Sequence, residues 1–135
     1  MVQVQYTAII IAATIVFIVS TIYYILLNKP YKKLLGVEPE KNGTYKLSIT
    51  PNRIIIEFAR NFVLGLVIAY ALAFLGIAEL NQAIVLAAWL WVGFPLVFVV
   101  GLVAHENYSK GLAVIHAGDW LLKVLIFTIF LTVWK

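Results

Sequence analysis

The sequence predicts an all-α membrane protein, a bundle of four transmembrane helices. The chain is 64% hydrophobic and 12% charged, and its mean hydropathy is +1.01, whereas soluble domains contain about 25% charged residues. The apolar residues form four long stretches, and a helix needs about 20 residues to cross a hydrocarbon core of about 30 Å. We therefore expect a single transmembrane domain over residues 1–135, in contact with the lipid bilayer.

The first predicted span covers about residues 6–27, which contain no charged residue. Tyr23 and Tyr24 near its end are typical of the interface between membrane and water, and Pro30 favours the end of the helix there. Loop 28–53 follows, and Pro51 comes just before the next apolar stretch. The sequence thus predicts one long loop between the first two spans.

The other spans are predicted at about residues 54–77, 82–104 and 112–134. Residues 78–81 between the second and third spans leave room only for a tight hairpin. In the third span, Pro95 cannot donate a backbone hydrogen bond to the carbonyl of Trp91, so we expect a kink near the middle of the membrane.

Small residues recur four positions apart along the predicted spans. Such stripes let two helix backbones approach closely in lipid, and we favour packing within the bundle over a dedicated dimer face. The residues concerned are Ala8, Ala12, Gly65, Ala69, Ala73, Ala113 and Ala117.

Basic residues are concentrated at one end of the predicted bundle. Four spans place both termini on one face, so that loops 28–53 and 105–111 share the other. The basic residues of these two loops are Lys29, Lys32, Lys33, Lys41, Lys46, Arg53 and Lys110. The terminal face carries only Lys135. This bias predicts that both termini lie outside (N-out, C-out), that loop 28–53 is cytoplasmic, and that the protein is a multi-pass protein of the cell (plasma) membrane.

The composition excludes several chemistries. The chain has no cysteine, which removes disulfides, thiolate metal sites and a cysteine nucleophile. The spacing of His105, Glu106, His116 and Asp119 is not diagnostic of metal or haem binding, so we expect no metal, no cofactor and no catalytic residue. The net charge of +4 comes from a loop beside the membrane, where basic residues contact anionic lipid heads, and we expect no nucleic-acid partner.

Ionisable residues inside the spans are the strongest indication of function. On the second span Glu57, Arg60 and Asn61 lie within an arc of about 100° on the helix. On the fourth span His116, Asp119 and Lys123 lie within about 60°. A charge at the bilayer centre costs about 2.5 to 3.5 kcal/mol on insertion scales, so both stripes should face the bundle interior.

These six residues predict an intramembrane polar pocket that opens to the cytoplasm. Asp119 is spaced to pair with Lys123, and Glu57 with Arg60, because residues three or four apart share one helix face. Residues from the other two spans are expected to form the rim of the pocket. They are Tyr24, Asn28, His105 and Glu106.

Two interpretations of the pocket remain open. One is a structural network of ion pairs that fixes the register of the helices, and the positions of Glu57 and Arg60 near the interface favour it. The other is a functional site, which the deeper positions of Asp119 and Lys123 favour. His116, one turn before Asp119, is either a proton shuttle or a hydrogen-bonded packing residue.

The chain resembles the small four-span membrane proteins grouped as domain of unknown function 1761. The motifs are Tyr23-Tyr24, Lys29-Pro30-Tyr31-Lys32-Lys33-Leu34-Leu35-Gly36, Trp91-Val92-Gly93-Phe94, Glu106, Ala117-Gly118 and Trp134. The resemblance covers nearly the full length and implies a four-span architecture without implying an activity. At the start of the fourth span the family usually has Asn-Ala-Gly-Tyr-His, whereas this chain has His116-Ala117-Gly118-Asp119-Trp120.

Three functions fit these features. The sequence favours an accessory subunit or scaffold in the membrane, acting as a homo-oligomer or in a larger membrane complex, because the chain is short and has no enzymatic motif. The alternative is a small transporter or channel for protons, ions or a small polar solute that uses the predicted pocket. A lipid-modifying or redox enzyme is the third and the least supported.

Overall fold

The computed structural model describes residues 4–134, and it confirms the predicted fold class. Its helices are α1 (Tyr6–Leu26), α2 (Asn28–Leu34), α3 (Pro51–Leu75), α4 (Leu80–His105) and α5 (Lys110–Val133). Helices α1, α3, α4 and α5 are long and apolar enough to cross a membrane. No β-strand occurs among residues 4–134. The protein is therefore an all-helical bundle with four candidate membrane spans.

The two ends of the bundle differ in what they carry. The loop face is the end with residues 27–50 and 106–109, and the terminal face is the end with Gln5 and Trp134. At the terminal face the indole nitrogen of Trp134 donates to Gln5 Oε1 at 2.8 Å, and the hydroxyls of Tyr6 and Tyr70 are 3.2 Å apart. Lys135, the basic residue predicted for this face, lies outside the described residues.

Local sequence determines where the spans begin and end. Thr50 caps α3 by accepting a hydrogen bond from the Arg53 amide at 3.4 Å, and Pro51 occupies the first helical turn, where no backbone donor is needed. The helix ends at Gly76, whose φ of 66° suits glycine. Ser109 caps α5 in the same way, accepting from the Leu112 amide at 3.3 Å.

The first span ends at Leu26, near the predicted end at about residue 27, but the short helix α2 that follows it was not predicted. Helix α1 ends at Leu26, and a second helix begins at Asn28 with Pro30 in its first turn, where the ring is tolerated. Leu34 of α2 packs on Gly111 of α5, where an added Cβ would lie 2.8 Å from Leu34 Cδ1. This contact holds α2 against the loop-face end of the bundle.

Pro95 changes the geometry of α4. A π-helical turn at Val92–Leu96 separates two α-helical segments of this span. A proline cannot donate to the carbonyl four residues earlier, and a wider turn is one way in which a continuous helix absorbs that loss. The disruption expected from the sequence therefore takes the form of a π-helical turn.

Helix α5 is the centre of the bundle. It packs against α1, α3 and α4. In its apolar stretch of 18 residues, 39% of the residues are buried, compared with 17% in the corresponding stretch of α4. Four alanines of α1 and α4 are fully buried around Phe127 of α5, namely Ala12, Ala13, Ala83 and Ala87. The small-residue stripes thus serve packing within the chain, and an apolar core fills the half of the bundle nearer the terminal face.

Substituting Gly65 should test this close packing. An added Cβ there would lie 2.5 Å from Phe127 Cε1. Gly65→Ala should therefore lower the free energy of unfolding by about 1 to 3 kcal/mol, and the melting temperature with it, through overpacking. Gly101→Ala is the matched control, because its Cβ would meet nothing within 4 Å and alanine favours helix. Unfolding of the detergent-solubilised protein followed by circular dichroism measures both. Equal melting temperatures for the two variants would contradict the packing described.

Candidate functional site

A buried ion pair on α5 forms the centre of the site. Asp119 and Lys123 are each only 4% exposed, and Lys123 Nζ lies 3.1 Å from Asp119 Oδ2. One helical turn separates the two residues, which places both side chains on the same face of α5. Ser20 of α1 donates its hydroxyl hydrogen to Asp119 Oδ1 at 2.5 Å. The carboxylate therefore joins α1 to α5.

The same lysine joins α5 to α3. Lys123 Nζ lies 3.3 Å from Glu57 Oε2, and the other oxygen of Glu57 accepts from the Arg60 guanidinium. Lys123 Nζ also lies 5.7 Å from the ring centroid of Trp120, within the range of a cation–π contact. A continuous chain of charged and polar groups thus runs from Ser20 through Asp119, Lys123 and Glu57 to Arg60.

Each charge in this chain is compensated by a neighbour. An ion that leaves water loses several kcal/mol of solvation, and a buried pair recovers that loss only when its geometry is good and its remaining hydrogen bonds are made. Both carboxylates have two partners, and Lys123 has two carboxylates and an aromatic face. Lys123 is the member on which this compensation depends most, because its removal leaves the buried carboxylate of Asp119 without a cation.

A cavity of about 540 Å³ adjoins this network. It extends from Asp119 and Lys123 within the bundle to Lys32, Ser48 and Arg53 at the loop face. This volume lies within the range of about 300 to 1,000 Å³ that is typical of small-molecule sites. All six residues of the predicted pocket line it, namely Glu57, Arg60, Asn61, His116, Asp119 and Lys123.

Asn61 is the one cavity residue with an unmade hydrogen bond at depth. Its side chain is 2% exposed, and its Nδ2 has no hydrogen-bond partner among the described residues. A buried donor without a partner costs about 1 to 3 kcal/mol. A donor of this kind needs a partner that the described residues do not supply, and Asn61 is also one of the residues that line the cavity.

An aromatic cluster surrounds His116 at one side of the cavity. His116 Nδ1 and the Tyr24 hydroxyl are 2.8 Å apart, and the tautomer of the imidazole decides which one donates. The Tyr31 ring meets His116 nearly edge-on at a centroid distance of 5.9 Å, and the Tyr108 ring is stacked at 6.4 Å. In the loop before α5, burial raises the pKa of Tyr108, and nearby Tyr31 adds to the rise. This phenol therefore stays neutral well above pH 7.

Part of the loop between α2 and α3 covers the mouth of the cavity. Asn28 Nδ2 donates to the carbonyl of Tyr45 at 3.0 Å, and Lys32 Nζ donates to the hydroxyl of Ser48 at 2.6 Å. Arg53 donates from Nη1 to the Ser48 carbonyl at 3.0 Å. We call segment 45–49 the mouth strap. It is held by Asn28 and Lys32, which lie one turn apart on α2, and by Arg53 at the start of α3.

The predicted rim residues divide into two groups. Tyr24 and Asn28 line the cavity, whereas His105 and Glu106 are exposed at the end of α4 and do not line it. Helix α4 packs on a different side of α5, where Val99 contacts Ala113 and Ala117 and the Trp91 indole donates to the Ala117 carbonyl at 2.8 Å. The expectation that α4 completes the pocket is therefore not met by its geometry.

Several cavity residues were not singled out from the sequence. Ser20 and Thr21 belong to an uncharged span, and Lys32 and Arg53 were interpreted only as basic loop residues. Tyr31 was part of a family motif without an assigned place. Within residues 4–134 no group of three or more histidine, aspartate or glutamate side chains is close enough to hold a metal ion.

The fold and the site together define a helical membrane protein with four candidate spans and a polar cavity at one end of the bundle. The chain belongs to the family described as protein of unknown function (DUF1761), whose model matches residues 7–132. This match confirms the resemblance found in the sequence motifs. No curated protein and no solved structure matches the chain.

Replacing Lys123 should destabilise the bundle strongly. Lys123→Met leaves Asp119 without its cation in a buried site, and loss of one partner of such a pair costs about 3 to 5 kcal/mol. The control is Lys110→Met, the same change at an exposed position on the same helix. Thermal unfolding in one detergent compares the two variants.

The double variant Asp119→Leu/Lys123→Met separates the two causes of instability. It removes both buried charges and leaves Glu57 with Arg60, so it should recover most of the stability that Lys123→Met loses. A single variant as stable as the Lys110 control would contradict a buried network.

Proposed function

We propose that the protein is a small transporter that binds a polar solute in the cavity between α1, α3 and α5. The observation that carries this proposal is the cavity of about 540 Å³ beside the buried ion pair of Asp119 and Lys123 and its partners Ser20 and Glu57. A purely structural network needs no such space, because its members stabilise one another by contact. The unpartnered amide of Asn61 in the cavity wall supports a bound ligand in addition.

We further propose that the loop face is cytoplasmic, with both termini outside, and that the protein resides in the cell membrane. The basic residues of loop 28–53 support this orientation through the positive-inside rule. The solute would then enter from the cytoplasm, beneath the mouth strap. Exit on the other side requires the apolar core around Phe127 to open. Helix α4 contributes to this core, and its π-helical turn is a break in the regular helix at which the span could bend.

Within this proposal each polar residue has a role. Asp119 and Lys123 hold α1, α3 and α5 together while the cavity is open on one side. The contacts that tie the helices together are those of Asp119 with Ser20 on α1 and of Lys123 with Glu57 on α3. Release of these two contacts would let the helices move apart, while the pair within α5 keeps its two charges compensated. His116 and Tyr24 share a hydrogen bond that a proton can cross, which suits coupling of solute movement to protons.

A flux assay in proteoliposomes tests transport. Vesicles containing the full chain are assayed with three labelled probes of different charge, inorganic phosphate, glycine and choline, and with a pH-sensitive dye for protons. We expect flux of at least one probe, and we expect Asp119→Asn to abolish it because the pair with Lys123 is lost. Lys33→Gln, an exposed change that lies outside both the cavity and the mouth strap, should retain the flux.

The second candidate is an accessory subunit or scaffold, as a homo-oligomer or in a larger membrane complex. The observation that favours it is the outer surface of α4, where Trp89, Phe94 and Phe98 are about 70% exposed. Lipid and a partner helix are the two covers that fit such a surface. Absence of flux for every probe, together with a partner that copurifies in mild detergent, would reject transport in favour of this role.

A further inference from the structure

The cavity wall carries more positive than negative charge. Its formally charged residues are four basic side chains and two carboxylates, namely Lys32, Arg53, Arg60, Lys123, Glu57 and Asp119. A cavity with low-dielectric walls focuses the field of such an excess and concentrates ions of the opposite sign. The charge inventory therefore favours an anion as the ligand.

The carboxylates are already paired with cations of the protein. Asp119 is held by Ser20 and Lys123, and Glu57 is held by Arg60 and Lys123. A cationic ligand at Asp119 would compete with the buried ammonium of Lys123. The negative charges of the wall therefore attract a further cation less than the unpaired basic residues attract an anion.

The positive side has free donors. Among residues 4–134, neither Lys32 nor Arg53 forms an ion pair, and each donates only to neutral oxygens of Ser48. Arg60 uses Nη1 for Glu57, whereas a guanidinium has five N–H donors in all. Next to Arg60, the buried Nδ2 of Asn61 has no acceptor among the described residues.

These donors lie at two depths. Arg53 and Asn61 are eight residues apart on α3, which corresponds to about 12 Å at 1.5 Å per residue. Arg53 therefore lies nearer the mouth, and Asn61 lies deeper along the helix. The basic residues of the mouth, Lys32 and Arg53, therefore attract an anion, and Arg60 with Asn61 provides the deeper donors that bind it.

Apolar side chains complete the wall between these two depths. Phe17, Ile25, Ile54 and Trp120 line the same cavity. A bare inorganic ion would leave this surface and most of the volume unused, whereas a molecule with an apolar portion covers it. The lining is thus suited to an oxyanion attached to a small apolar body.

We propose that the cavity binds a ligand with a phosphate or carboxylate head, held by Asn61 and Arg60 and attracted through the mouth by Lys32 and Arg53. This inference rests on the proposed transport function, whose solute it assigns to the anions. The head has two sources, a soluble organic phosphate or carboxylate from the loop side, of which inorganic phosphate represents the head alone, and the head group of an anionic lipid. Both present the same oxygens to the same donors.

Binding to the purified full chain in phosphatidylcholine nanodiscs tests this proposal. Inorganic phosphate and choline are the soluble probes, measured by calorimetry at constant ionic strength. Phosphatidic acid added to the nanodiscs is the lipid probe, measured by native mass spectrometry. We expect either phosphate to bind, which supports a soluble source, or phosphatidic acid to be retained, which supports a lipid source. Binding of neither, or binding of choline as strong as that of the anions, would overturn the proposal.

Two variants separate the two depths. Asn61→Leu should weaken anion binding about tenfold, which corresponds to about 1.4 kcal/mol, because the anion loses a buried donor. The same change should leave the ligand-free protein at least as stable, since an unsatisfied amide is removed. The mouth variant Lys32→Gln/Arg53→Gln should slow association and reduce its dependence on salt.

The matched control is Lys33→Gln/Lys41→Gln, which removes the same charge from exposed positions near the loop face that neither line the cavity nor belong to the mouth strap. It should bind as the native protein does. If the Asn61 variant and the mouth variant also bind as the native protein does, the assigned site is wrong. Anion binding without flux rejects transport and retains this site, whereas choline flux without anion binding retains transport and rejects the site.

Discussion

The structure depends on the compensation of Asp119 and Lys123 inside the bundle. In hydrocarbon neither side chain is solvated, so each must find its partners within the protein. Asp119 takes a hydroxyl from α1, and Lys123 takes a carboxylate from α3, while both belong to α5. The arrangement of these three helices follows from that requirement, because a rotation of any one of them would expose a charge to lipid.

The same constraint explains why the cavity lies where it does. Nearer the terminal face, alanines let the helices approach closely around Phe127, and the core is apolar and filled. Nearer the loop face, the long side chains of Glu57, Arg60 and Lys123 keep α3 and α5 apart, and the mouth strap covers the gap from outside. Packing by small residues at one end and spacing by charged residues at the other together produce a one-sided site.

Much of the fold follows from the sequence because lipid imposes simple rules on it. Length and hydropathy are enough to locate the spans, and helical periodicity is enough to orient Glu57, Arg60, Asp119 and Lys123. Ser20 was not predicted, because serine and threonine in a span commonly bond their own helix, as Thr14 and Thr21 do with the carbonyls of Ile10 and Phe17. The place of His105 could not be predicted either, since it depends on which side of α5 receives α4, and both sides carry small residues.

Thiol accessibility tests the inward orientation of the polar stripes most directly, because the native chain has no cysteine. Single cysteines at Ser20 and Thr21, which line the cavity, are compared with cysteines at Ile18 and Ile22, which are exposed on the outer surface of the same helix. A membrane-impermeant thiol reagent applied from the loop side should modify the first two and spare the other two. The opposite pattern would contradict a cavity between the helices that water can enter. In that pattern the reagent modifies Ile18→Cys and Ile22→Cys and leaves Ser20→Cys and Thr21→Cys unmodified.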